Sequence, residues 1–491
     1  MQHVDLSQLS PQIVWKHFQT LCQIPRPSKQ EHVLREHLAN WAKQQGLTVY
    51  IDRIGNLIIR KPATSGNEDN VGVILQGHLD MVTQANRGSN HNFMRDPLRP
   101  VLEQDWLVSP ETTLGADNGI GVALALAVLE STDISHGPIE VLLTVDEEAG
   151  MSGARLLEEG VLTGQWLFNI DTEEWGELYL GCAGSQDVEV SQALEYVAAP
   201  QMDLESVEIC VTGLRGGHSG IDIHLGRGNA NVILSRFLHQ HLAELEGYLI
   251  EFHGGTARNA LPREASTKII LPKKNIDLLE QRLDEYEAQW LQALKGIDDQ
   301  FNIDLRLIQD THHDVLETQQ QNHVLAALSG CPYGVVTWSE VLSDVVETSN
   351  NIGVVHIDQA QGFQAVIMVR SMRNESAEHF SQQIVEHFAK YDLAATRAEL
   401  VSGWTPNPDS AALKCLQDAY QIAFNIEPEL KVIHAGLECG IIAQHYPHLQ
   451  MVSFGPDIKG AHAPGERVKV DTVEKCWKLL VTALEQVPKA H

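Results

Sequence analysis

The sequence predicts an α/β protein: a mostly parallel sheet interrupted by an inserted α+β domain. Three observations lead there. Short apolar runs such as Val71–Leu75 and "IEVLLTV" alternate with helical patterns early in the chain, and such runs suit strands covered on both faces. From about 187 to 397 the strands are amphipathic instead ("LESVEICVTGL", "STKIILP", "FQAVIMVRSM") and lie between long polar helices such as "LDEYEAQWLQALKG". That pattern fits an antiparallel sheet covered on one face. Beyond about 398 the first pattern returns. The expected division is 1–186 with 398–491 as one domain, and 187–397 as the insertion.

Taken in order, residues 11 to 46 read as helices with apolar residues at helical spacing, and Gly46 is a stop signal. "LTVYIDRIGNLIIRK" reads as a hairpin turning near Gly55-Asn56. "VGVILQGHLDMV" holds the first buried strand, "NGIGVALALAVLES" a buried helix, "IEVLLTV" the second strand and "WLFNI" the third. "LQMVSF" near the C-terminus supplies a fourth. No internal repeat, low-complexity tract or long linker is visible.

The chain has 491 residues, enough for two or three domains. Its formal net charge of -30 argues against nucleic acid or an anionic membrane as partner. The apolar run at 120 to 129 is far shorter than the roughly 18 residues a membrane span needs. The N-terminal stretch lacks an apolar signal region, and seven scattered cysteines contain no CxxC. Both features fit a reduced, cytoplasmic setting.

The chemistry is concentrated where strands end. "QGHLD" puts His78 and Asp80 just past the first strand, and "TLGADNGIG" puts Asp117 before the buried helix. "VDEEAG" places Glu147 and Glu148 past the second strand, and "NIDTEE" places Asp171 past the third. "GAHAPGE" places His462 after the fourth. Ligand sites in open α/β sheets form outside the carboxyl ends of the strands, so five segments deliver acids and imidazoles to one edge. Two histidines with three carboxylates and no cysteine favour Zn²⁺, Co²⁺ or Mn²⁺. Five protein ligands suit two ions about 3.5–4 Å apart that share a carboxylate. Asp117, at a helix N-terminus, suits the bridge. Asp80 could orient the His78 ring. Glu173 and Glu174 rival Asp171, and the residues alone do not say whether Glu147 or Glu148 is the ligand.

Here the chain resembles a known family. "GHLDMV", "GADNGIG", "TVDEEAGMSGA" and "NIDTEEWGE" resemble the M20 metallopeptidases, which share a dinuclear zinc centre. "VSPETTLGADNGIG" and "GLRGGHSG" are similar to the family's dipeptidase branch, and the likeness runs over essentially the whole chain. It implies a metallopeptidase catalytic domain with an inserted lid, and two Zn²⁺ per subunit, replaceable by Co²⁺ or Mn²⁺. His78 and Asp171 would hold one ion, Glu148 and His462 the other, with Asp117 bridging. Glu147 would be the general base and Asp80 the partner of His78. The implied substrates are unblocked dipeptides, including Xaa-His and carnosine-type compounds, and the implied assembly is a homodimer through the lid.

In the lid, His218 of "LRGGHSG" matches a histidine that reaches an active site in relatives, in some of them the partner subunit's. Asn259 matches a substrate loop. Arg370 and Arg373 offer guanidinium groups for a terminal carboxylate, and Gly436, with Glu438, lies near the site by the same likeness. The alternatives are another hydrolase of the superfamily (tripeptidase, carboxypeptidase or N-acyl amino acid deacylase) or a non-catalytic peptide binder. No GxSxG or GxxxxGK[ST] motif supports a serine hydrolase or a phosphate loop.

Overall fold

A computed structural model describes residues 5–309 and 314–490. Apolar residues at helical spacing form α1 (Gln12–Gln23) and α2 (His32–Gln44), which bury one face each. A hairpin follows, β1 (Thr48–Ile51) and β2 (Leu57–Lys61). β3 (Val73–His78) and β4 (Ile139–Thr144) are buried at every position, as strands covered on both faces must be. Between them runs α3 (Ala116–Glu130), apolar nearly all round and buried along most of its length. α4 (Glu147–Gly150) is a single turn after β4. β5 (Trp166–Asn169) and β6 (Glu177–Cys182) follow.

The chain then leaves this sheet. β7 (Gly184–Gln192), β8 (Leu204–Thr212), α5 (Ala230–His241), β9 (Tyr248–Gly254), β10 (Ala265–Pro272), α6 (Ile276–Ala293) and β11 (Asn302–Leu307) come first. α7 (Thr318–Gly330), β12 (Gly334–Trp338), β13 (Val346–Asp358), β14 (Gly362–Ser371), α8 (Asn374–Ala389) and β15 (Ala395–Arg397) complete the excursion. α9 (Ala411–Phe424), β16 (Glu429–Ile433), α10 (Glu438–His445), β17 (Gln450–Ser453) and α11 (Val470–Gln486) close the chain.

Two units result. One comprises Met1–Cys182, Trp404–Val432 and Leu437–His491; the other comprises Ala183–Gly403 and Ile433–Gly436. The passage falls at Ala183 because β6 ends at Cys182 in one sheet and β7 begins at Gly184 in the other. The short return at Ile433–Gly436 has no marker in the sequence.

The first unit's eight-stranded sheet runs β1-β2-β4-β3-β5-β17-β6-β16. Its centre, β4-β3-β5-β17, is parallel, and antiparallel pairs flank it. The carboxyl ends of β3, β4 and β5 therefore open on one edge. α3 presses onto that edge through two glycines. A methyl on Gly77 would sit 2.2 Å from Asn118 Oδ1, and one on Gly121 would sit 2.1 Å from the Ile170 carbonyl oxygen.

The second unit's nine-stranded sheet runs β11-β8-β10-β9-β13-β14-β7-β15, with β12 beside β13. It contains a repeat that the sequence does not display. β8-α5-β9-β10-α6-β11 is one β-α-β-β-α-β half. β7, followed after that half by α7-β13-β14-α8-β15, is the other. Their strand orders mirror each other about the antiparallel β9–β13 pair, so the halves are related by a pseudo-twofold axis. Shared topology needs only the same binary pattern, so the two halves can diverge until no repeat is readable.

Gly121→Ala is expected to destabilise the first unit by about 1–3 kcal/mol through overpacking. A lowered urea midpoint with unchanged slope would show it. An unchanged midpoint would mean that α3 can lift off β5 at no cost.

Candidate metal centre

β3 carries His78 to the sheet edge and leaves its side chain 1% exposed. The α3 N-terminus brings Asp117 opposite. His78 Nε2 lies 3.0 Å from Asp117 Oδ1 and 3.5 Å from Asp171 Oδ1. The other oxygen of Asp117 lies 3.2 Å from His462 Nε2, and Glu148 Oε2 lies 3.0 Å from the same nitrogen. The loop holds His462 at φ 65°, a left-handed conformation that costs a non-glycine residue about 1–3 kcal/mol. Three donor sets converge: His78–Asp117–Asp171, Asp117–Glu148–His462 and His78–Glu147–Glu148. Asp117 is common to two of them.

Asp80 ties two of these segments together. Its Oδ1 accepts from the Glu147 N–H at 3.0 Å, and its Oδ2 accepts from the Glu148 N–H at 3.1 Å and the Ser28 hydroxyl at 2.7 Å. The same Oδ1 is 3.4 Å from His78 Nδ1, an ion-pair distance outside hydrogen-bond alignment. The carboxylate thus caps the turn bearing both glutamates while facing the histidine of the neighbouring strand.

Electrostatics follow from burial and excess acid. Burial alone would depress His78, but Asp171, Asp117 and Asp80 raise it well above its ordinary value. Hydrogen bonds to Asp117 and Glu148 push His462 up to about 11. Burial opposes ionisation of Asp117, yet hydrogen bonds from His462 and His78 hold it below the usual carboxylate range. Burial pushes Asp171 up to about 6 and Glu147 well above its ordinary value. Five carboxylates against two imidazoles leave surplus negative charge in the site.

The residues fit a pair of divalent cations. All donors are nitrogen or oxygen, as Zn²⁺ and Mn²⁺ accept. Among the described residues, Glu148 Oε1 is buried without a hydrogen-bond partner, a lone pair open to something other than a protein donor. Glu173 and Glu174 join none of the converging sets. Glu174 pairs with Lys459, while burial raises Glu173 to about 7.

Sequence reasoning missed Glu466 and Arg26, which hold these loops, and placed Glu438 near the site only by its likeness to the family. Glu466, 2% exposed, accepts four backbone N–H groups: Leu114 (2.7 Å), Gly115 (2.9 Å), Ala116 (2.7 Å) and Asp117 (3.3 Å). It lies four residues beyond His462, so one loop supplies a candidate ligand and clamps the turn that carries Asp117. Arg26, also 2% exposed, donates to the carbonyls of Leu79, Asp80 and Gly115. Glu438, fully buried, accepts from Gln76 (2.6 Å) and Thr144 (2.7 Å), and burial raises it to about 8. An acid in a Gly-Pro loop or an arginine between prolines has no periodicity to mark it. "HAPGE" held the only signal for Glu466.

The second unit carries the other candidates. Arg370 is 6% exposed; its Nε lies 3.4 Å from Ser219 Oγ, and its Nη2 lies 3.5 Å from His218 Nε2 without a hydrogen bond, because both are donors. Asp187, the acid whose charge it feels, is ion-paired with Arg258. His218 Nδ1 accepts from the N–H groups of Gly220 and Ile221, so the neutral ring carries its hydrogen on Nε2. Burial and then Arg370 push that histidine down to about 4. His434, on the short return, is buried with Nε2 2.7 Å from Ser349 Oγ. Asn259 is exposed, and its carbonyl accepts from Ser219 N–H at 2.8 Å. Arg373 is 57% exposed and faces Glu347 at 3.8 Å. Gly436 is half-buried on the return segment.

The family model described as peptidase family M20/M25/M40 matches residues 74–486. The chain is 41% identical over 488 residues to the cytosol non-specific dipeptidase of Escherichia coli (strain K12), covering 99% of both. Its fold matches the crystal structure of aminoacylhistidine dipeptidase from Vibrio alginolyticus with a TM-score of 0.93 at 41% identity, covering 100% of this chain and 99% of that one. Aminopeptidase PepT from Bacillus cereus shares the fold at a TM-score of 0.56 and 18% identity, covering 98% and 99%.

With His78 and His462 both protonated at neutral pH in metal-free protein, cation binding must release protons. Affinity is expected to rise with pH by roughly tenfold per unit for each proton displaced. Competition with a chromophoric chelator at several pH values around neutrality measures it. A flat profile would mean that these imidazoles are not ligands.

Proposed function

This chain is a member of peptidase family M20/M25/M40, and on that premise we propose that it is a metal-dependent, non-specific dipeptidase of the cytosol. Its substrates are unblocked dipeptides, Xaa-His and carnosine-type compounds among them. The observation that carries this reading is the pair of donor sets sharing Asp117, because a shared carboxylate is what a two-ion hydrolytic centre requires. His78 and Asp171 would hold one ion, Glu148 and His462 the other. Zn²⁺ is the expected ion, with Co²⁺ or Mn²⁺ able to substitute.

When bound, the ions would supply Lewis acidity and make water more acidic. The chain's own residues do the rest. Glu147 takes a proton from the attacking water and returns it to the leaving amine. Asp80 fixes the turn that presents Glu147 and keeps His78 in one orientation. A neutral His218 with its hydrogen on Nε2 is a donor suited to a developing oxyanion. Arg370, a buried cation beside neutral groups, suits a terminal carboxylate. Arg373 already has an acidic neighbour, which favours Arg370. Asn259 and Gly436 are assigned to the same substrate-contacting group, and a homodimer through the second unit belongs to the same reading.

Dialysis against chelator should abolish hydrolysis of carnosine and other dipeptides, and added Zn²⁺, Co²⁺ or Mn²⁺ should restore it. Metal-independent cleavage would exclude the mechanism. Glu147→Ala should retain both ions and lose about 10²- to 10⁴-fold in kcat; an active variant places the base elsewhere. Arg370→Met should raise KM roughly 10- to 100-fold, with less effect on blocked substrates that lack a free carboxylate. An equal loss on both would remove Arg370 from carboxylate binding.

A further inference from the structure

The second unit brings together two imidazoles that the proposed reaction does not use. In the β9–β13 ladder, His253 stands opposite His356, between the pairs Phe252↔Ile357 and Gly254↔Val355. Phe252, Val355 and Ile357 belong to the unit's hydrophobic core. Alternation along a strand therefore sends both histidines to the other face, where their side chains are 37% and 28% exposed. Their Nδ1 atoms meet at 2.8 Å.

Each ring turns its other nitrogen toward a carboxylate two residues away on its own strand. His356 Nε2 lies 2.5 Å from Asp358 Oδ2, and His253 Nε2 lies 3.6 Å from Glu251 Oε1. The register that pairs Phe252 with Ile357 puts Glu251 and Asp358 at the same end of the histidine pair. Lys268 pairs with Glu251 at 2.7 Å.

The tautomer of one ring follows. An ionised carboxylate only accepts, so Asp358 draws the hydrogen of His356 onto Nε2 and leaves a lone pair on Nδ1. Glu251, 3.6 Å from His253 Nε2, is too far to fix the tautomer of that ring. A contact of 2.8 Å between the two Nδ1 atoms therefore needs either a hydrogen on His253 Nδ1 or a cation between the rings. Burial, and then the facing His356, lower the pKa of His253, which favours the neutral, ligating ring. A carboxylate accepting the outer N–H of a histidine is the usual support of a metal-bound imidazole. Two ligands each about 2.0–2.1 Å from one ion need only a small widening of the observed gap.

We propose that His253 and His356 form a mononuclear site for a borderline divalent cation such as Zn²⁺, Ni²⁺ or Cu²⁺, separate from the acid-rich centre of the first unit. Imidazole suits these ions, and the partial exposure admits water to the remaining positions. The site straddles the ladder that joins the two β-α-β-β-α-β halves, so the ion is a clasp across their seam. Occupancy stabilises the folded unit by mass action.

The test uses metal-loaded, full-length protein dialysed to equilibrium against excess Ni²⁺, with total metal per chain counted by elemental mass spectrometry. His253→Gln and His356→Gln should each carry one equivalent fewer than the parent chain while hydrolysing dipeptides at its rate. Counting all metals together keeps exchange at the catalytic centre from changing the result. Asp358→Asn should keep the equivalent but weaken it 10- to 100-fold. Added Cu²⁺ should give a resonance split by two nitrogens in the parent and by fewer in either glutamine variant. Equal metal counts in the parent and both variants would overturn the proposal and leave the rings sharing only a proton.

Discussion

Asp117 sets one carboxylate oxygen against His78 and the other against His462, residues separated from it by 39 and 345 positions. The first unit is organised so that this double contact can exist. A parallel sheet centre delivers His78, the Glu147–Glu148 turn and Asp171 to one edge, and the last loop returns His462 to meet them. The cost is crowding of like charge: Asp80, Asp117, Glu147, Glu148 and Asp171 share a site with two imidazoles. Protonation relieves part of it, as the raised Asp171 and Glu147 indicate. Cations relieve it more fully, and the family to which the chain belongs implies a dinuclear metal site at such a place.

Backbone hydrogen bonds hold the arrangement in register. Glu466 gathers four consecutive N–H groups, and Asp80 takes the first two of the Glu147 turn. Arg26 satisfies three carbonyls of the facing loops. Each of these charged side chains is nearly or wholly inaccessible and replaces lost water with several oriented partners, which is the condition for burying charge. Behind them a polar row crosses the sheet: Ser453 donates to Asn169, Asn169 to Gln76, and Gln76 with Thr144 to Glu438. A parallel sheet centre is ordinarily apolar, so a row of this kind positions groups more than it adds stability.

The second unit solves a different problem. A wide antiparallel sheet is built by joining two similar halves through their equivalent strands, which hides two edges at once. The join also brings His253 and His356, 103 positions apart, into register. Elsewhere in the unit, Arg370 is buried beside neutral groups, an arrangement that makes sense for a group awaiting an anion.

Much of this was legible in the chain. Local periodicity marked the buried strands, the hairpin, the apolar helix and the amphipathic middle, because burial on one face or two leaves a period of two, of 3.6, or an unbroken run. An acid or histidine just past such a run is conspicuous, so His78, Asp80, Asp117, Glu147, Glu148, Asp171 and His462 could all be named. What the sequence by itself determined was therefore which segments are buried and which residues stand at their ends. Only the tertiary structure decided which ends meet: Glu466 under the Asp117 turn, Arg26 across three carbonyls, the repeat in the second unit, and His253 against His356. Those pairings depend on strand order and register between segments far apart in the chain, and contacts over such separations leave no local pattern to read.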